Sequence, residues 1–384
     1  MLQKYARFVV NNAAQVNSIE NGLRMLTYIL PGRFADSELA SEAIYTLLSF
    51  VGVYHDGLLT RAAKTGLLAD KDGKPIEIEV SPFNRYQTRL SKQSDVYRIT
   101  ALMLSGLQFG EKLIEMAVVK KYGEKMRWKV VCWIEMAKVV LRLNLLQLSG
   151  RRMVTGSVIP ERLVDPAQLG PVKPTAKAAA TVCGETEEMD GKAGSGMMQA
   201  DGAWKGERSG LKFRAVRDIL SQTEGSANLG TYVSAEARHP ETVSPALSLV
   251  RQYTALGVTG ELLFILRPIL YVIGIRKLGK SDWRPWALSL LVELASRQMI
   301  RTDLHAASDR ESSKRTVEKD ELSRRKWLFL YYLLRSPFFD RFTESRMTRV
   351  ADWCSNKPLL NLVGALIHDY LPLWQQYYFY TSAS

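Results

Sequence analysis

The sequence predicts an all-α fold: a multi-helix, membrane-associated bundle with two marginal transmembrane helices and a long disordered central loop. Three observations predict it. Apolar residues recur at helical spacing through both flanks of the 384-residue chain. Residues 151–240 hold 11 of the 26 glycines and five prolines, with no apolar periodicity that a packed helix could use. Two helical runs, 128–148 and 254–275, are long enough to cross a bilayer although each carries internal charge. The chain thus divides into an N-terminal helical region (1–150), a disordered linker (151–240) and a C-terminal helical region (241–384).

The elements follow in order. Met1–Gln15 has only short apolar runs broken by Asn11 and Asn12, unlike a cleaved signal. Asp36 can cap a helix whose Leu39, Ala43, Ile44, Leu47, Leu48 and Val51 share a face, with the Asp56-Gly57 pair marking its end. His55-Asp56, and later His368-Asp369, sit where helix ends are expected, so capping is their expected role. Ile76, Ile78 and Val80 alternate with glutamates, the one strand-like pattern. A run from about Asp95 to Tyr122 stops before Gly123, as a helix C-terminus should. Beyond the linker, Leu262–Ile275, Trp286–Ile300, Trp327–Leu334 and Leu359–Ile367 predict four or five further helices.

The first candidate span, WKVVCWIEMAKVVLRLNLLQL (Trp128–Leu148), is about 32 Å long as a helix. Its charges Glu135, Lys138 and Arg142 fall within an arc of about 60°, so they form one stripe in which Glu135 can pair with Lys138. Central charges cost about 2.5–3.5 kcal/mol each and apolar residues return about 0.3–0.6 each, so insertion is near balance unless the stripe faces a partner helix or the headgroups. The second span, Thr254–Ile275, is interrupted by Glu261 and by the Arg267-Pro268 step, which should kink it. Lys120, Lys121, Lys125, Arg127, Lys129, Arg276, Lys277, Lys280 and Arg284 flank the outer ends; only Arg151, Arg152 and Arg251 flank the linker side. If both cross, that asymmetry places both termini in the cytosol. If neither crosses, the same basic flanks suit peripheral binding to anionic lipid.

Composition bounds the chemistry. With 46% hydrophobic and 24% charged residues, the chain is neither wholly disordered nor collagenous nor a coiled coil. Its net charge of +13 divides into +6, +1 and +6 over the three regions, with acidic residues interleaved, so no nucleic-acid partner is expected. Three scattered cysteines give no disulfide framework, and four histidines give no metal-ligand pair. GIRKLGKS (Gly274–Ser281) satisfies the phosphate-loop pattern, which would make Lys280 a phosphate ligand and Ser281 a Mg²⁺ ligand. The alternative is a basic turn between two helices, since Arg267-Pro268 breaks the strand that a phosphate loop requires. The aromatic runs WLFLYYLLRSPFFDRF (Trp327–Phe342) and DYLPLWQQYYFY (Asp369–Tyr380) suit core packing, a membrane interface or a protein-binding surface. Arg301–Lys326 is a solvated face or loop by composition.

Five segments carry a resemblance: PGRFADSELASEAIYTLLSFVGVYHDGLL (Pro31–Leu59), GEKLIEMAVVKKYGEKMRW (Gly110–Trp128), LRPILYV with DWRPW (Leu266–Trp286), YYLLRSPFFDRFTESR (Tyr331–Arg346) and DYLPLWQQYYFY. Together they resemble the peroxin-16 family of peroxisomal membrane biogenesis proteins. The linker shows no resemblance. What the resemblance implies is a non-enzymatic membrane protein of peroxisomes, and in some lineages of the endoplasmic reticulum. It would recruit peroxin-3 and, through it and the chaperone peroxin-19, other peroxisomal membrane proteins, without cofactor, metal or small-molecule substrate. The two-span topology with cytosolic termini agrees with the charge flanks. The matching motif residues are Gly32, Arg33, Phe34, Asp36 and Ser37; Arg335, Ser336, Pro337, Phe338 and Asp340; and Tyr370 and Trp374. Pro337 would stop a helix and orient Phe338 and Phe339, with Arg335 or Arg341 pairing Asp340. The rival functions are a nucleotide-binding protein using Gly274–Ser281 and a soluble helical adaptor.

Overall fold

A computed structural model describes residues 2–29, 37–64, 80–166, 169, 204–205, 212–213, 245–306, 316–357 and 360–373. Eleven α-helices are described: α1 (Leu2–Asn11), α2 (Ala13–Ile29), α3 (Ser37–Lys64), α4 (Pro82–Gln93), α5 (Asp95–Tyr122), α6 (Glu124–Leu148), α7 (Ala255–Leu278), α8 (Trp283–Ala306), α9 (Thr316–Leu328), α10 (Glu344–Ser355) and α11 (Asn361–Leu373). A 3-10 segment, Phe329–Leu334, and a π turn, Phe339–Thr343, join α9 to α10. Among the described residues the sole strand pairing is a two-residue ladder, Trp204–Lys205 against Lys212–Phe213. The expected strand at Ile76 and Ile78 lies outside the described residues.

Helix boundaries follow local chemistry where a cap is present. The Ser94 hydroxyl accepts from the Tyr97 N–H and starts α5; Gly123 ends it at φ 78, a conformation that costs glycine little. The expected end at Asp56-Gly57 is overturned: α3 runs on to Lys64. Tertiary contacts carry it through. His55 is buried between Tyr5 (2.7 Å) and Glu20 (2.5 Å), and Leu58, Leu59 and Ala62 pack on α1 and on Val164. These contacts outweigh the cost of one helical glycine, about 1 kcal/mol. His368 likewise caps nothing: it lies within α11 and meets Asp352 of α10 at 3.1 Å.

Two helical hairpins form the centre. The α5–α6 hairpin turns at Gly123 and the α7–α8 hairpin turns at Gly279–Asp282. They meet through α6 and α7, which run antiparallel: Trp128 packs on Tyr271 and Ile275 at one end, and Val139 and Leu146 pack on Ile265 and Ile269 towards the other. Contact between α7 and α8 is close enough that a Cβ on Gly260 would stand 2.9 Å from Ile300 Cγ1 and 3.1 Å from the Ser296 carbonyl. Helix α7 runs through Pro268, which lies inside it. Of the two expected spans, α7 is long and apolar enough to cross a membrane, with 56% of its apolar window buried. Among the described residues no other helix qualifies, so the 128–148 span does not meet that measure. Its internal charges depress its apolarity, and they face inward.

The start of the expected linker is folded. Met153, Val158 and Val164 are buried. The Asn84 side chain exchanges two hydrogen bonds with the Glu161 backbone, at 3.2 and 2.7 Å, and the Gln87 amide donates to Thr155 Oγ1 at 2.6 Å. Arg152 pairs with Gln252 as an isolated bridge and donates from Nε to the Val250 carbonyl at 3.0 Å. The two ends of the Gly- and Pro-rich stretch are therefore clamped beside each other. Most of 167–244 lies outside the described residues.

Candidate functional site

The stripe foreseen on α6 becomes the edge of a buried charge network. Lys138 Nζ lies 2.6 Å from Glu135 and 2.8 Å from Glu111 of α5, with Lys138 and Glu135 each 1% exposed. Arg142 is buried with them. Two to three turns nearer the hairpin tip, the fully buried Arg127 bridges Glu115 at 2.8 Å and Glu124 at 3.0 Å. Helix α7 contributes Glu261 and Arg267, also buried. Arg267 pairs with Glu293 of α8, which is held in turn by Arg297 at 2.6 Å and by the Tyr332 hydroxyl at 3.2 Å. Arg325 of α9 donates twice to Glu261, at 2.7 and 2.8 Å, once to Glu321 at 2.9 Å and once to the Val154 carbonyl at 2.8 Å. Its guanidinium lies 4.0 Å from the Phe264 ring centroid.

Residues 301–326 are therefore not simply a solvated face, because Glu318, Glu321 and Arg325 are buried. Burial alone would raise the Glu321 carboxyl, but the hydrogen bond from Arg324, the charges of Arg325 and Arg324 and the Gly156 N–H outweigh it and hold it below its ordinary value. The sign of the consequence follows from linkage. A depressed folded value stabilises above the unfolded value near 4.5, and that stability is lost as pH falls through the folded one. Urea midpoints should fall on acidification below about pH 4.5. Glu321→Gln should be weaker at pH 7 and show a shallower acid dependence.

The RSPFFDRF motif closes this network on the hairpin tip. Arg335 leaves the preceding 3-10 turn in extended backbone, and its buried guanidinium lies 4.9 Å from the Tyr271 ring and 4.8 Å from the Tyr332 ring. Ser336 donates to the Asp340 carboxylate and, at 3.2 Å, to the Lys280 carbonyl, while its own carbonyl accepts from Tyr271 at 3.3 Å. The Ser336-Pro337 peptide is cis. Phe338 stacks on Trp286 at 5.9 Å, and Phe339 is 1% exposed. The motif's described contacts thus lock the C-terminal segment to the tip of α7–α8.

The other motif residues are more scattered. Ser37 opens α3 and is buried. Tyr370 donates to the Tyr28 carbonyl at 2.8 Å, tying α11 to α2. Gly32, Arg33, Phe34, Asp36 and Trp374 lie outside the described residues. Sequence reasoning missed Glu293, Arg297, Glu321 and Arg325. A lone carboxylate inside the apolar run WALSLLVELAS was the available signal for Glu293.

The phosphate-loop reading is overturned. Gly274–Leu278 is the last stretch of α7, whose backbone N–H groups are committed to the helix, and a helix rather than a strand precedes it. Gly279, at φ 93, returns its N–H to the Ile275 carbonyl at 2.8 Å. Lys280 sits 5.4 Å from the Trp128 ring centroid, and a Cβ on Gly274 would stand 3.0 Å from Pro285. The segment is a packed interhelical turn.

Known proteins resemble this chain in sequence. "Peroxisome biogenesis protein 16" of Arabidopsis thaliana is 26% identical over 399 aligned residues, covering 100% of both chains. "Peroxisome biogenesis factor 16" of Dictyostelium discoideum is 33% identical over 126 residues, covering 33% of this chain and 31% of its own. "Peroxisomal membrane protein PEX16" of Schizosaccharomyces pombe is 19% identical over 357 residues, covering 90% and 88%. No solved structure matches the chain. A family model described as "Peroxisomal membrane protein (Pex16)" matches residues 3–376, both hairpins and the motif that locks them included, and the chain therefore belongs to the Pex16 family of peroxisomal membrane proteins.

Proposed function

We propose that this protein is a non-enzymatic membrane scaffold that recruits peroxin-3 and, through it and peroxin-19, other peroxisomal membrane proteins, with both termini and the basic hairpin tips in the cytosol. One observation carries the membrane part of this reading: between its ends the α5–α8 unit buries a set of charges while several of its large apolar residues face outward. Glu115, Arg127, Glu135, Lys138, Glu261, Arg267 and Glu293 are each 5% exposed or less, whereas Ile99 and Met103 of α5, Trp133 and Val140 of α6, and Leu291 of α8 are each more than 50% exposed. In water that distribution is unfavourable on both counts. In lipid it is the favourable one, because ionised groups face the bundle interior and are paired there. The inward stripe on α6 then costs less than its charge count suggests, and α6 and α7 can cross as an antiparallel pair.

The hairpins gather at one end the basic flanks on which the proposed topology rests. Exposed Lys120, Lys121, Lys125, Lys129, Arg276, Lys277 and Arg284 gather at the end where the two hairpins turn, while Arg151, Arg152 and Arg251 lie at the opposite end. The soluble-adaptor alternative leaves the exposed apolar faces unexplained.

For partner binding, the C-terminal aromatic run divides in two. Tyr332, Arg335 and Phe339 are buried, but Trp327 (71%), Leu330, Leu333 and Phe342 are exposed. We assign the exposed set to the partner surface. Trp327→Ala with Leu330→Glu should abolish recruitment of peroxin-3 to the membrane at unchanged protein level, measured by co-purification and organelle imaging. Normal recruitment by that variant would move the working surface elsewhere.

A further inference from the structure

Arg142 is the cation of the central network that no carboxylate contacts directly, although Glu135, which shares Lys138 with Glu111, is its nearest opposite charge. It is 9% exposed, and among the described residues it has neither a hydrogen-bond nor an ion-pair partner. Its charged neighbours are Glu135, already bridged by Lys138 at 2.6 Å, and three more guanidinium groups, those of Arg267, Arg325 and Arg324. The carboxylates beside those arginines are engaged: Glu293 with Arg267 and Arg297, Glu261 with Arg325, and Glu321 with Arg324 and Arg325. A buried guanidinium with no direct partner and three like charges beside it leaves its N–H donors unfilled, and an anion would satisfy them.

There is space for one. Arg142 lines a cavity of about 60 Å³ together with Arg324, Gln108, Gly156 and the apolar side chains of Phe264 and Ile265. At roughly 10–15 Å³ per water-sized position, that volume holds about four to six waters or one tetrahedral oxyanion. Gln108 also has no hydrogen-bond partner among the described residues, so its amide can donate into the cavity. Arg324 pairs with Glu321 through Nε and Nη2, which leaves Nη1 outside that fork. Its position depends on Gly156: a Cβ there would lie 1.9 Å from Arg324 Nη2, so only glycine lets the guanidinium rest against the cavity wall. Glu261 on the same wall is neutralised by the two hydrogen bonds from Arg325.

We propose that this cavity is an oxyanion site, in which Arg142, assisted by Arg324 and the Gln108 amide, holds one phosphate-sized anion inside the helical bundle. The ligand chemistry is that of a phosphate group, supplied either as free inorganic phosphate or as the phosphomonoester headgroup of an anionic lipid. Guanidinium groups suit such a group because they form charge-assisted, fork-like hydrogen bonds to phosphate oxygens.

The test uses the purified full chain in neutral detergent. Inorganic phosphate is titrated at constant ionic strength against a chloride control, following thermal unfolding and ³¹P NMR line width; short-chain phosphatidic acid below its micellar concentration is titrated in parallel. Wild type should show saturable, phosphate-specific stabilisation, Arg142→Met should weaken it at least about tenfold, and Arg142→Lys should fall between, since lysine keeps the charge but not the fork. Without added anion, Arg142→Met should be at least as stable as wild type, because it removes a buried guanidinium that makes no direct hydrogen bond or ion pair and stands among three others. Tighter, Arg142-dependent binding of phosphatidic acid assigns the lipid headgroup as source; Arg142-dependent binding of phosphate with none of phosphatidic acid assigns the free anion. The proposal is overturned if wild type binds neither ligand saturably, or if Arg142→Met binds equally well. It is overturned too if Arg142→Met fails to fold in anion-free buffer, which would show that the fold itself pairs the guanidinium. Gly156→Ala, which displaces Arg324 and leaves Arg142 in place, should weaken binding less than Arg142→Met.

Discussion

Replacing Arg325 with methionine should destabilise the protein by about 3–5 kcal/mol, the usual cost of removing one partner from a buried ion pair. Arg325 is 3% exposed and joins α9 to α7 and to the folded start of the linker through Glu261, Glu321 and the Val154 carbonyl. Without it, Glu261 keeps only the Val154 N–H, at 3.2 Å, as a hydrogen-bond partner among the described residues. Glu321 keeps Arg324 and the Gly156 N–H. Restoring neutrality with Glu261→Gln in the same chain should recover a substantial part of the loss. A double-mutant cycle by chemical denaturation reads this as a coupling of roughly 1–3 kcal/mol. Additive losses would mean that the two groups do not depend on each other, and single losses under about 1 kcal/mol would mean the network is solvated.

The second large effect concerns the outer face of α8. Leu288 and Leu291 are 47% and 64% exposed and lie on the side of α8 turned away from α7, opposite the buried Ser289, Glu293 and Ser296. In the proposed arrangement this face of α8 meets lipid beside the α7 span, where an arginine costs up to about 2.5–3.5 kcal/mol while leucine is favourable. Leu288→Arg with Leu291→Arg should therefore shift the membrane partition by more than about a thousandfold. In alkaline carbonate extraction the double variant should move from pellet to supernatant. Ser345→Arg, on the exposed face of α10, should leave the protein in the pellet.

Much of the fold was legible because local and tertiary preferences coincide. Ser94 and Gly123 bound α5 as a cap and a left-handed stop, and both read directly from the sequence. Asp56-Gly57 misled because its turn chemistry is overridden by contacts formed 35 residues away at Glu20 and 50 residues away at Tyr5. The inward stripe on α6 was visible as an arc of charge, and so was its Glu135–Lys138 pair. Its remaining partners were not, since Glu111 lies on another helix. The same limit hid Arg325, whose partner Glu261 is 64 residues away and whose local sequence, SRRK, reads as solvent-facing. Periodicity identifies which residues share a face of a helix. It does not identify what covers that face, and in this fold other charged helices cover it.

The measurement that bears most directly on the membrane scaffold is protease access in intact organelles, with one epitope in the segment between residues 170 and 240 and another at the C-terminus. The account predicts that the C-terminal epitope is lost to added protease while the central one survives until the membrane is permeabilised, and that both stay with the membrane through carbonate extraction. Cleavage of the central epitope in sealed organelles would contradict the two-span topology, and release of the intact chain by carbonate would contradict membrane embedding itself.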